Sequence, residues 1–217
     1  MIDFHTHILP GIDDGSQSVS ESAALLREEF VQGVEAVALT PHFYAHQNSP
    51  EIFLERRQQA WEALKPHLDS QMPKPFLGAE VQYFEGICCM RGIRRLQIEG
   101  TDYLLLEMPF TRWTNRVVED AVSLNNQGDT VVVLAHIERY ITIQPKEVWA
   151  YLRKRGLLMQ VNVSFFGSWM TRHKAMSMLE KGEIHLLGAD CHNMKTRRPN
   201  WDQLPAKAKL LARELHR

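Results

Sequence analysis

The chain has 217 residues, 44% hydrophobic and 24% charged, which are ordinary globular values with length enough for one large core, so a single domain over 1–217 is expected. A formal net charge of −1 argues against a general nucleic-acid binder, which carries a basic surplus. No apolar stretch approaches the roughly 20 residues of a membrane span, and Asp3 and His5 interrupt any signal-peptide core, so neither membrane insertion nor a leader is expected.

Strand-like and helix-like runs alternate from end to end. "MIDFH" (1–5) reads as a first strand, and 18–33 as a helix, with Ala23, Leu26, Phe30 and Val34 on one face and Gly33 near its close. "VEAVALT" (34–40) is a second strand, and 50–67 a second helix. "PFLGAEV" (75–81) is the third strand and "TDYLLLEM" (101–108) the fourth, followed by a helix over 115–127. "TVVVLAH" (130–136) is the fifth strand, with a helix over 145–155 whose proline suits a first turn. "LLMQVNV" (157–163) and "IHLLGAD" (184–190) complete seven strands, with helices over 171–181 and 203–215. Near-continuous apolar strands are buried on both faces, which favours a parallel sheet.

Nine residues stand out at or near the ends of these strands. They are His5 and His7 in "DFHTH", Asp14 in "GIDDG", His42 in "LTPH", Glu80 in "LGAE", Glu107 in "LLLE", His136 in "VLAH", and Asp190 and His192 in "LGADCH". A single such residue is usually a cap or a surface charge. The same offset after seven strands points to one polynuclear metal site. It also selects a barrel over an open sheet, because all the strand ends of a barrel converge on one mouth. His5 and His7 share a face, as do Asp190 and His192. Glu80 is placed to bridge two ions, Glu107 and His136 to complete a second, and Asp14, His42 and His192 to hold a third. Three divalent ions against four carboxylates leave about +2 of charge, suited to a dianionic phosphate monoester.

The runs "FHTHILPGIDDGS", "LTPH", "GAE", "HIERY" (136–140) and "GADCHN" (188–193) closely resemble the PHP (polymerase and histidinol phosphatase) superfamily. They are most similar to its bacterial metal-dependent protein tyrosine phosphatases of capsular and exopolysaccharide gene clusters. The resemblance runs from residue 2 to about 199. It implies an α/β fold, a distorted seven-stranded (β/α) barrel with a trinuclear centre at the C-terminal strand ends. The first ion would take His5, His7, Glu80 and Asp190, the second Glu80, Glu107 and His136, and the third Asp14, His42 and His192. Manganese is typical of the family, with iron or zinc as alternatives. A hydroxide bridging the ions would attack phosphorus in line, and Arg139 and Arg197 would contact the phosphate. The implied substrate is the phosphotyrosine tail of a bacterial tyrosine kinase that controls polysaccharide synthesis. Cys191, where the family more often has a small residue, and Ile137, where proline is common, depart from the pattern without touching a ligand position.

Cys191 and Arg197 also match the C-x5-R spacing of cysteine-dependent phosphatases, as do Cys88 with Arg94 and Cys89 with Arg95. None of these loops has the glycines that let backbone N–H groups wrap a phosphate, so a buried structural thiol is expected at Cys191. Three cysteines make no disulfide framework, which implies a reducing, cytoplasmic setting. The segment 83–99, basic through Arg91, Arg94 and Arg95, reads as a solvated helix face, with docking of an acidic peptide or another subunit as the competing role; an oligomer stays open. Phe43, Tyr44 and Tyr140 are candidates to hold an aromatic ring at the mouth, with packing under the loops as the equal alternative. "FFGSW" (165–169) is a candidate for the rim, whereas His46, His67, His173, His185 and His216 fit no ligand pattern. The competing functions are a small-molecule phosphomonoesterase of the histidinol-phosphatase type, a metal-binding regulatory subunit without turnover, and, most weakly, a nuclease-like role.

Overall fold

The computed structural model describes residues 1–215. It is an α/β fold built on a curled parallel sheet. The strands are β1 (Ile2–Thr6), β2 (Ala36–Leu39), β3 (His42–Phe43), β4 (Lys74–Leu77), β5 (Glu80–Gln82), β6 (Tyr103–Glu107), β7 (Val131–Leu134), β8 (Leu158–Asn162) and β9 (Leu186–Gly188). The helices are α1 (Val19–Val31), α2 (Pro50–Leu64), α3 (Asn115–Asn125), α4 (Lys146–Lys154), α5 (Ser164–Gly167), α6 (Trp169–Glu180) and α7 (Ala206–Leu215). Helix starts follow local chemistry: Ser18, Ser49, Thr114 and Ser168 each accept a backbone N–H of the first turn on their hydroxyl. No helix among the described residues is long and apolar enough to cross a membrane.

The single third strand expected over 75–81 is a correction. The chain forms β4, breaks at Gly78–Ala79, and resumes as β5 in a different sheet. The second strand breaks in the same way at Thr40–Pro41, and His42 opens β3. Among the described residues, nine short strands therefore replace the seven anticipated. Their orders are β1-β2-β4 and β3-β5-β6-β7-β8-β9, with every pairing parallel. The breaks do not separate the two sheets. Gly78 N donates to Leu39 O (2.9 Å) and Glu80 N to Pro41 O (3.0 Å), so the ladder continues across both kinks. At the far side, His7 N donates to Cys191 O (2.9 Å) and Asp190 N to His5 O (2.8 Å), joining β1 to the segment that leaves β9.

Two apolar clusters follow from this curl. The larger lies between the sheet and the helices. The smaller takes Phe4 from β1, Ala38 from β2, Leu105 from β6, Val133 from β7 and Leu186 from β9. Strands spread across the sheet can share a cluster only on the inner side of the curl, so these residues fill its interior. The closure also needs a residue without a side chain: a Cβ on Gly188 would lie 2.5 Å from His5 Cβ. Gly188→Ala should therefore push β9 from β1 and destabilise the fold by about 1–3 kcal/mol, the usual cost of overpacking. Thermal or denaturant unfolding measures this, and an unchanged midpoint would show that the contact is not tight.

Candidate metal centre

All nine strand-end residues converge. Glu80, fully buried, is the hub: its Oε2 lies 3.1 Å from His5 Nε2, 3.2 Å from His7 Nε2 and 3.0 Å from His42 Nδ1. Its Oε1 lies 2.9 Å from His136 Nε2, which in turn is 3.5 Å from Glu107 Oε1. Asp190 Oδ1 is 3.7 Å from His5 Nε2 and 3.5 Å from His7 Nε2. Asp14 Oδ1 is 3.6 Å from His42 Nε2 and 3.5 Å from His192 Nε2. Three groups bring their ligand atoms within 4.8 Å of one another: His5, His7 and Asp190; His42, Glu80 and Glu107; and His7, Asp14, His42 and His192. These clusters can hold metal ions.

The donor chemistry supports that reading, because the outer nitrogens of three imidazoles are already committed. His5 Nδ1 faces the amide oxygen of Gln160 (3.3 Å), His7 Nδ1 the Asp13 carboxylate (2.7 Å), and His192 Nδ1 the carbonyl of Asp190 (3.0 Å). Each of those partners is an acceptor, so each Nδ1 donates, and the neutral ring keeps a bare lone pair on Nε2. The Nε2 atoms of His5 and His7 then stand 3.2 Å apart, beside two carboxylate oxygens. Only a cation holds such acceptors together, either a proton or a metal ion. The Nε2 of His192 is buried and has no hydrogen-bond partner among the described residues.

Charge follows the same lines. Burial alone would lower His7, but hydrogen bonds to Asp13 and Glu80 raise it to about 10. His136 is likewise raised to about 9 against burial, by Glu107 and Glu80. Burial would raise Asp13, yet its bond to His7 holds it well below the usual carboxylate range. Burial and the nearby His7 lower His192 to about 4, so its ring is neutral at pH 7 and its lone pair is available.

Two backbone positions carry strain. Among the described residues, only His136 (φ 33°) and Asp190 (φ 53°) are non-glycine residues with positive φ. Such positions persist where the surrounding structure over-determines them, and they cluster at functional sites. Here each turns the chain out of a strand so that its side chain faces the cluster. Gly15 serves the same end, because a Cβ there would lie 2.1 Å from His7 O.

Arg139 and Arg197 both reach the centre. Arg139 Nη2 donates to Asp190 Oδ2 (2.9 Å) and Arg197 Nη2 to Asp190 Oδ1 (2.8 Å). Their side chains remain 37% and 40% exposed, so further N–H donors face the opening. Cys191 does not take part. Its thiol is fully buried against Glu29 Oε1 (3.6 Å), and burial, with Glu29 and Asp3 nearby, pushes it well above the usual thiol range. A buried, protonated thiol is no nucleophile.

Several supporting residues went unread in the sequence. Asp13 orients His7 and also accepts from Gly15 N and His42 N, although only its neighbour Asp14 was singled out. Gln160 accepts from His5 and from His136 N, and Asn162 donates to Asp190 Oδ2. Their signal was present, since a buried strand carries polar residues only when something pairs with them. Asp3 accepts from the N–H groups of His5 and Ala189 and from Trp201 Nε1, tying β1 to the segment that leaves β9. Of the aromatic candidates, Phe43 and Tyr140 are fully buried packing residues, while Tyr44 stacks on His42 (5.1 Å, 22°). The exposed aromatic beside the centre is Phe110, 54% exposed, with its ring 6.1 Å from that of His136 at 15° and 5.7 Å from the Arg139 guanidinium. "FFGSW" runs through α5 into α6. Arg94 and Arg95 sit in a 3-10 turn paired with Asp129 (3.7 Å) and Glu51 (3.2 Å). His185 Nδ1 accepts from Met159 N (3.0 Å), a structural role, and His216 lies outside the described residues.

Residues 1–213 match the family model for capsular polysaccharide synthesis, CpsB/CapC. The chain is 30% identical over 205 residues to the tyrosine-protein phosphatase YwqE of Bacillus subtilis, covering 91% of this chain and 79% of that protein. It is 29% identical over 217 residues to the tyrosine-protein phosphatase CpsB of Streptococcus pneumoniae, covering 94% and 87%. A crystal structure from work on YwqE and CpsB, described as unique metal-dependent tyrosine phosphatases, superposes with a TM-score of 0.79 at 23% identity, over 99% of this chain and 87% of that one. That likeness confirms the fold.

Removing the charge that orients His7 should weaken metal binding. Asp13→Asn is expected to lower affinity roughly 10–100-fold, the usual cost of losing the partner behind a metal-binding imidazole. Competition with a chromophoric chelator measures it. Equal affinity in the variant would mean that His7 is positioned without Asp13.

Proposed function

The chain belongs to the capsular polysaccharide synthesis CpsB/CapC family, and from that premise we propose that it is a metal-dependent protein tyrosine phosphatase. The observation that carries the proposal is the convergence of five imidazoles and four carboxylates, buried Glu80 at their centre, with two arginines at the edge. Taken together, β2 with β3 and β4 with β5 act as single kinked strands. The fold is then a distorted seven-stranded barrel in one domain, with its metal site at the C-terminal strand ends. The site would hold three divalent ions, manganese first and iron or zinc as alternatives. His5, His7, Glu80 and Asp190 would bind one, Glu80, Glu107 and His136 another, and Asp14, His42 and His192 the third. Bound there, divalent ions supply a water acidified towards neutral pH and positive charge for the phosphoryl oxygens.

The chain's own residues do the rest. Arg139 and Arg197 are held by Asp190 from opposite oxygens, which sets both guanidinium groups at the opening before substrate arrives. Their remaining donors suit bidentate binding of a phosphate dianion. Tyr44 and Phe110, each stacked on a metal-site imidazole, offer flat apolar faces to an aryl ester. The substrate we favour is the phosphotyrosine tail of a kinase that governs polysaccharide synthesis, met in the cytoplasm. The cysteines are all free thiols, in keeping with that compartment.

Turnover of a phosphotyrosyl peptide, measured as phosphate release, is expected to vanish with chelator and to fall roughly a hundredfold or more in His136→Ala, while Cys191→Ser largely spares it. Activity that survives chelation but not Cys191→Ser would overturn the metal reading, and a preference for histidinol phosphate would install the small-molecule alternative. Phe110→Ala should raise KM for phenyl phosphate about 2–10-fold, the worth of one aromatic contact, and leave glycerol phosphate unaffected. An equal loss on both esters would remove Phe110 from substrate selection.

A further inference from the structure

A second site lies away from the metal centre. Helices α4 and α6 flank a half-open cleft of about 510 Å³, larger than either hollow that borders the metal cluster. This volume is in the range of sites for ligands of a few hundred daltons. Its rim carries Lys146, Arg153, Lys174 and Lys181, and Glu183 is its one carboxylate. Arg153 pairs with Glu183 at 3.5 Å, whereas the three lysines have no ion-pair partner among the described residues. The chain as a whole bears a formal charge of −1, so this is local cationic surplus and no general property of the surface.

The floor adds a second, independent observation. Trp149 lines the cleft with 7% of its surface exposed, its ring set edge-on to Trp113 at 5.3 Å, so it stands there as a fixed apolar wall. Beside it, Ile137 and Met178 make the floor apolar. The cleft therefore asks for carboxylates at the rim and an apolar group between them. We infer that it docks an acidic peptide segment bearing aromatic or aliphatic side chains. Its position has a consequence for the metal site. Ile137 directly follows His136 and opens the 3-10 turn Ile137–Arg139, so an occupant presses on the turn that carries Arg139.

This site does not depend on the phosphatase reading, because an unphosphorylated ligand tests it. The probe is a dye-labelled decapeptide of alternating glutamate and tyrosine, titrated against the metal-loaded protein and followed by fluorescence anisotropy. We expect saturable binding that weakens with salt. The double variant Lys174→Glu/Lys181→Glu should lose roughly tenfold or more in affinity. Trp149→Phe, which replaces the indole by a smaller ring and so removes part of the apolar floor, should lose about threefold. Both variants should keep the parent's turnover of p-nitrophenyl phosphate, which reports the metal centre alone and confirms folding. Unchanged peptide affinity in the lysine variant would overturn the proposal. So would displacement of the peptide by millimolar inorganic phosphate in parent and lysine variant alike, which would seat it at the metal centre.

Discussion

A carboxylate with no access to water organises this molecule. Glu80 touches four imidazoles from three other strand regions: His5 and His7 at β1, His42 at β3 and His136 after β7. Isolated in a protein interior, such a group would cost many kcal/mol and would take up a proton instead. Surrounded by nitrogens, it is held well below the usual carboxylate range despite the opposing effect of burial. The breaks at Thr40–Pro41 and Gly78–Ala79 now have a physical purpose. They let β3 and β5 leave the line of β2 and β4, and they place His42 opposite Glu80 in the parallel register.

Around that hub, rigidity comes from three sources. Strained backbone at His136 and Asp190 aims two side chains inward. Close approaches at Gly15 and Gly188 bring other strands to distances that any side chain would forbid. Behind the inner nitrogens, Asp13, Gln160 and the Asp190 carbonyl hold each ring in one tautomer. A site positioned this way needs little rearrangement to receive cations, which is what preorganised electrostatic chemistry demands.

The opening of the site has a different character from its floor. Asp14, 64% exposed, together with Arg139, Arg197 and Phe110, stands where ligands enter, while the inner carboxylates and imidazoles are buried. Charge and an aromatic face thus meet at the rim, and the buried imidazoles and carboxylates lie beneath. The basic cleft between α4 and α6 shares a wall with this arrangement through the Ile137–Arg139 turn, so two anion-seeking surfaces adjoin one short segment.

How much of this was legible before folding depends on the range of the interaction. Residue type and period are local, so strands ending in His, Asp or Glu could be read along the chain, as could the C-x5-R spacing at Cys191 that leads nowhere. Helix starts at Ser18, Ser49 and Thr114 were equally local. The third strand was misread because an apolar run around Gly78 has the same period whether straight or kinked, and only pairing with β3 and β6 reveals the break. Asp13 and Asp14 are indistinguishable as letters; the turn at Gly15 decides that one stands behind His7 and the other faces His42 and His192 at the opening. Phe43 and Phe110 likewise differ only in burial, which distant parts of the chain impose. Residue order alone sets the chemistry on offer, namely which donors exist and at which strand ends. Tertiary structure decided which donors face one another, since the separation between His5 and Asp190 is set by closing a curled sheet and by nothing in the residues between them.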